Sequence, residues 1–170
     1  MNESSALSMT KHIPLLFTYR DRVIGDDFSA DVESHGRVLG VEEGDNDFWV
    51  YGIQPGALAA SGTTPREALE AFRASFTEVL KDFAADVANF AEFDQAVQSF
   101  FNAVNEPAEA DWLRAVEAVR AGEIDIPGVR RERAEATRYV HVQQAPVSNP
   151  TLSHRQQFSV SVGMDSSIAA

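Results

Sequence analysis

The clearest pattern along the chain is a stripe of apolar residues with helical spacing. Ala68, Leu69, Phe72, Phe76, Val79, Leu80, Phe83 and Val87 recur at intervals that place them on one face, while Arg66, Glu70, Arg73, Glu78 and Lys81 fall off it. Thr63-Thr-Pro-Arg-Glu67 precedes the stripe. Thr64 suits an N-cap, Pro65 a first helical position and Glu67 the return partner of a capping box, so a helix is predicted over 64–88. A second stripe, Phe90, Phe93, Val97, Phe100, Phe101 and Val104, is also helical in period. It either continues the first helix or turns back on it near Asn89. Asn105-Glu-Pro107 opens a third helix, with Trp112, Leu113, Val116 and Val119 on one face and Gly122 at its end.

The chain before these helices reads as strands. Ile13–Ile24 is rich in β-branched and aromatic residues, and Phe28–Glu33 alternates. Ser34-His-Gly-Arg37 reads as a tight turn and Val38–Val41 as a third strand. Gly44-Asp45-Asn46 marks a second turn, Phe48–Ile53 a fourth strand, and 57–62 a loop of small residues. Short pieces joined by tight turns imply an antiparallel meander. Beyond the helices, 138–144 and Phe158–Val162 read as strands, and 145–153, with Pro146 and Pro150, as loop. The predicted class is therefore α+β: an antiparallel β meander packed by a long helix, with additional C-terminal helices and one or two terminal strands. On the fourth strand Trp49 and Tyr51 share one face, Phe48 and Val50 the other. One pair faces the helices. The other forms an exposed aromatic patch of the kind that marks interfaces, unless a second helix layer covers it. The phenylalanine stripe from Phe72 to Phe101 is expected in the core.

Charge alters this picture more than composition does. The 170 residues carry a net charge of -12, against the cationic surface that nonspecific nucleic-acid binding requires. Nine acids lie between Asp21 and Asp47 against Arg22 and Arg37, whereas 130–155 holds five arginines against Glu132 and Glu135. An acidic face so placed would speed the docking of a basic partner. The residues expected at that protein interface are Glu42, Glu43, Asp45, Asp47, Trp49 and Tyr51.

Candidate chemistry is sparse. The absence of cysteine rules out disulfides, thiol nucleophiles and thiolate metal sites. His12, His35, His141 and His154 show no helical pairing or His-Glu-x-x-His pattern. Glu42–Asp47 lacks the ligand spacing of a calcium loop. Ser61-Gly62 is explained by turn geometry, and neither a nucleophile elbow nor a nucleotide-binding fingerprint is present. The expectation is a protein without catalytic residues, metal or cofactor, with a dispersed active site as a third possibility. No basic start leads into an apolar run, and no stretch reaches the length of a membrane span, which gives a cytoplasmic expectation with no membrane partner.

Asp47-Phe-Trp-Val-Tyr-Gly-Ile-Gln-Pro-Gly56, then Ala60-Ser-Gly-Thr-Thr-Pro-Arg-Glu-Ala-Leu69, then Ala74–Leu80 together resemble the HicB-like antitoxin family over about 28–82. In that family a strand ends in a Pro-Gly turn, a loop carries a Gly-x-Thr step, and a helix begins with a Glu-Ala pair. The resemblance implies a β-β-β-α-β domain that pairs with a small ribonuclease-type toxin, covers its active site and forms homo-oligomers, a homodimer foremost. It divides the chain into a disordered tail over 1–11, a HicB-like domain over 12–88 and a helical extension with terminal strands over 89–170, packed on the first part. Members usually add a ribbon-helix-helix or helix-turn-helix module. Here Gln157–Val162 could mimic a ribbon strand, but eight residues follow it, and 90–121 lacks a basic recognition face. Nucleic-acid binding by the family's usual route is therefore not expected. The alternatives are a transcriptional regulator or corepressor acting through the arginines of 130–155, and an orphan HicB-like domain of unrelated role.

Overall fold

A computed structural model describes residues 10–133, 138–146 and 157–164. The elements in chain order are β1 (Lys11–Ile24), β2 (Ser29–Glu42), β3 (Phe48–Gln54), β4 (Ala59–Gly62), α1 (Pro65–Asp86), α2 (Phe90–Asn102), α3 (Glu106–Arg120), β5 (Arg131–Arg133), β6 (Tyr139–Ala145) and β7 (Gln157–Met164). The strands form one mixed sheet in the order β4-β3-β2-β1-β7-β5. β2 is its spine. Along one edge it pairs with β1 from Lys11↔Glu42 to Ile24↔Ser29. Its other edge is divided between β6, which takes Ser29–His35, and β3, which takes Arg37–Glu42. β1 through β4 form an antiparallel meander, and β5 joins β7 in parallel.

The predicted turn at Ser34–Arg37 does not form, and the two short strands flanking it are one strand. Gly36 signals close packing, not chain reversal. It pairs with Phe17, whose ring lies over it: a Cβ at Gly36 would stand 2.6 Å from Phe17 Cε1 and 2.3 Å from Gln54 O. The fourth strand of the meander comes instead from Ala59–Gly62, read from sequence as loop, and β5 is a strand the sequence pattern did not mark. Lys11, placed from sequence in an N-terminal tail over 1–11, belongs to β1; residues 1–9, the stretch 147–156 and the C-terminal residues 165–170 lie outside the described residues.

Both faces of the sheet are covered, unequally. Ile13, Leu15, Phe17, Tyr19 and Val23 alternate along β1 toward a large core with Phe72, Phe76 and Leu80 of α1 and Phe93, Val97 and Phe101 of α2. Leu16, pointing the other way, joins Leu39, Val41 and Ile53 in a smaller core closed by Ala108, Trp112 and Val116 of α3. Leu113, expected on the packed face of α3, is exposed. Asn89 caps α2 by accepting from the Glu92 amide, so the second apolar stripe is a separate helix. The bend after β3 is held against the α2–α3 connection, Gly56 N donating to Ala103 O and Asn105 N to Ile53 O.

Thr64 caps α1 as predicted, its hydroxyl accepting from Glu67 N at 3.1 Å. The Glu67 carboxylate returns one residue further back than a standard capping box, to the amide and hydroxyl of Thr63. These bonds to the ionised form hold the Glu67 carboxyl below its ordinary range. Thr64→Ala is expected to cost about 1 kcal/mol in urea denaturation, with Thr64→Ser close to neutral.

Candidate interaction surface

The β2–β3 connection places four carboxylates beside two aromatic rings. Glu42, Glu43, Asp45 and Asp47 are all exposed on the turn, which closes through Glu43 N donating to Asp47 O at 3.0 Å. Gly44 and Asn46 supply its two positive-φ positions, at 123° and 63°. No ion pair joins any of these four acids to a cation among the described residues. Two residues on, Trp49 and Tyr51 project from one face of β3 and stack, with ring centroids 5.8 Å apart and planes 11° from parallel. Phe48 and Val50 face the large core, so the sequence divided the two pairs correctly. Trp49 and Tyr51 are half-buried because α3 covers part of their face, a state between the bare patch and the fully covered one. Burial, followed by the charges of Glu43 and Asp47, pushes the Tyr51 hydroxyl above its ordinary pKa. The expected interface residues are thus one neighbourhood, with Glu43 and Asp47 within electrostatic reach of Tyr51.

The acidic stretch as a whole is not one face. Asp26 and Asp27 are exposed at the β1–β2 turn, at the far end of β2 from Glu42, roughly 40 Å away at about 3.3 Å per residue. Between these ends the acids are engaged. Arg22 grips Asp31 with two hydrogen bonds of 2.8 and 3.0 Å, and Glu33 accepts from Tyr139 Oη at 2.9 Å. Arg37, counted as an offset to the acidic charge, is buried. What remains presented is two separate groups, the 42–47 tip and, at the far end, Asp26 with Asp27.

α3 leaves the half of its face around His35 to polar side chains. His35 Nε2 lies 3.4 Å from Glu132 Oε1, while Ser161 Oγ donates to Glu132 Oε2 at 2.7 Å. These are the residue types of a nucleophilic triad in the wrong order: the carboxylate lies between hydroxyl and imidazole, so the imidazole cannot take the serine proton. The trio instead ties β2, β5 and β7 together. Among the described residues no group of three or more His, Asp or Glu is disposed to hold a metal ion. Next to this trio, Arg37 donates to Glu109 Oε1 at 2.7 Å and lies 5.3 Å from the centre of the Trp112 ring. Burial lowers the Arg37 pKa, partly opposed by the Glu109 bond. An arginine set directly before the apolar run Val38–Val41 was the signal for this anchor between sheet and α3. It was hidden by assigning Arg37 to a turn.

Gln157–Val162, read as a possible ribbon strand, is built into the sheet beside β1. His154 lies outside the described residues, and His141 is exposed on β6. No described helix is long and apolar enough to cross a membrane. No protein-family model matches the chain, and no curated protein and no solved structure is significantly similar to it.

Proposed function

We propose that the chain is a non-enzymatic protein-binding module of HicB-like antitoxin type, which takes a small basic protein, a toxin foremost, at the tip of the β2–β3 hairpin. The single observation that supports this reading is the acidic turn Glu42–Asp47, without an ion pair among the described residues, set directly beside the stacked pair Trp49 and Tyr51. Exposed carboxylates steer a cationic partner, and a half-buried aromatic pair on a rigid strand supplies the contact area that holds it. The hairpin is fixed on both sides, by β1 along β2 and by β4 along β3, so the surface is organised before the partner arrives.

The test is co-expression with the small basic protein encoded by a neighbouring gene, followed by kinetic binding measurements. The combined E42Q, E43Q, D45N and D47N variant is expected to slow association about tenfold or more at low salt, with little change at high salt. Trp49→Ala is expected to speed dissociation, weakening binding by about 2 kcal/mol. Unchanged association of the neutralised variant would refute the site. A strictly monomeric chain that retains no neighbouring gene product would count against the antitoxin role itself.

The second reading, a regulator that contacts DNA, is favoured by the exposure of Arg131 and Arg133 on β5 and of Arg138 just before β6. A mobility-shift assay with upstream DNA separates the two, and the absence of a shift at low salt removes the regulator.

A further inference from the structure

The sheet has a second open edge, on the opposite side from β4. β7 pairs with β1 over Gln157–Val162, but its other edge carries β5 only from Val162 onward. Val162 N donates to Arg130 O, away from β1. Backbone groups along a strand alternate in direction, so the N–H and C=O of Phe158 and Val160 also point away from β1, where no described strand meets them. Beside this edge runs α1. Arg66, Leu69, Glu70 and Arg73 of α1 and Phe158, Ser159 and Val160 of β7 line a groove of about 410 Å³. Its floor is apolar, with the Phe158 ring beside that of Phe17 on β1, centroids 6.0 Å apart and planes 28° from parallel.

The charge in the groove is unbalanced. Arg66 is held by Glu70 at 3.0 Å. Arg73 is half-buried, and its Nε, shielded from solvent, has no hydrogen-bond partner. That Nε–H lacks an acceptor among the described residues, and a carboxylate is the acceptor that best fits the geometry and charge of a guanidinium.

We propose that this groove receives an extended segment of a partner protein by strand addition to β7, with alternate apolar side chains over Phe158 and Val160 and an Asp or Glu side chain on Arg73. The observations supply each requirement of such a mode: outward main-chain donors and acceptors, a pocket for alternate side chains, and one unpaired cation that selects for charge. β5 blocks the slot beyond Val162, so the segment enters from the Gln157 end. The inference does not rest on the role of the acidic tip. The acidic tip belongs to the β2–β3 turn inside the sheet and the groove to the β7 side, and the two attract opposite charges.

The probe is a capped peptide of about six residues that alternates valine with threonine and carries one central glutamate, the length and pattern that fill one edge of a short strand. Addition of this peptide to the full-length, isotope-labelled chain is expected to shift the amide resonances of 66–73 and 157–161 and to slow hydrogen exchange at the Phe158 and Val160 amides about tenfold. A glutamine in place of the peptide's glutamate, or Arg73→Leu in the protein, is expected to weaken binding about tenfold. Val160→Pro is expected to abolish it; that residue's N–H bonds to nothing in the sheet, so the fold loses no ladder bond. Should Val160→Pro fail to fold, Arg73→Leu carries the test alone. No shifts in 66–73 and 157–161 at millimolar peptide would overturn the proposal. So would slow exchange of the two amides in the peptide-free monomer, which would mean that the chain covers its own edge. Protection that rises with protein concentration alone would overturn it in favour of a second copy.

Discussion

Replacing Trp112 with alanine is expected to destabilise the protein by about 3–5 kcal/mol, the range for truncating a large buried aromatic. The site gives several reasons for the upper half of that range. Trp112 is 1 % exposed and is the largest side chain of the smaller core, whose other members are Leu16, Leu39, Val41, Ile53, Ala108 and Val116. The other buried members are all aliphatic, and the aromatic rings of Trp49 and Tyr51 pack only at the rim. Its indole N–H donates to Leu15 O at 3.2 Å in a buried setting, so truncation also strips a carbonyl of its partner. The ring further supplies the face against which Arg37 lies. Trp112→Phe keeps most of the volume and loses the hydrogen bond, and about 1–2 kcal/mol is expected. Urea denaturation followed by circular dichroism measures both. In the alanine variant Trp49 is the sole tryptophan, and it lies at the rim of the same cluster. Its fluorescence should report a loosened α3 at lower urea than global unfolding requires. A loss under about 1 kcal/mol for Trp112→Ala would mean that α3 does not depend on this anchor.

The helices were legible from sequence because each is specified twice, by a period and by a cap. Thr64, Asn89 and Asn105 each precede an apolar stripe and each accept a hydrogen bond from an amide three residues on. Strand existence was legible where β-branched and aromatic residues cluster, as at Phe48–Gln54, or alternate with polar ones, as at Phe158–Val162. What failed was strand length and the smaller core. β2 is buried on both faces for most of its length, so it shows no alternation, and its polar members mimic a turn. Ser34, His35 and Arg37 are polar in composition yet buried, and the side chains that face two of them come from more than 70 positions away: Glu132 beside His35 and Glu109 on Arg37. Nothing local announces such partners. The six residues expected at an interface were legible as neighbours because hairpin geometry is local, whereas the groove beside β7 depends on which strand lies at the edge, a property of topology.

The misread turn leads to the second large effect. Gly36→Ala is expected to cost about 3 kcal/mol, at the top of the range for overpacking. One obstacle to the new methyl group is the backbone carbonyl of Gln54, which lies at the register shift between β2 and β3 and is braced by the bend beyond it. The other is the Phe17 ring, which is itself held edge-on by Phe72 and Phe76 of α1. Neither can move far without disturbing the large core. Two further variants separate this cause from a turn requirement. Asparagine tolerates the left-handed conformation, so Gly36→Asn would be nearly neutral in a turn; in a buried strand it must cost at least as much as alanine. Phe17→Leu, which withdraws part of the ring, should make Gly36→Ala cheaper in the double variant than in the wild type by about 1 kcal/mol, while a turn glycine would show no such coupling. Relief is only partial because the Gln54 carbonyl stays in place. Urea midpoints for the four combinations of Phe17 or Leu with Gly36 or Ala decide the matter: additive costs would show that the ring is not what excludes a side chain, and that the continuity of β2 rests on the carbonyl alone.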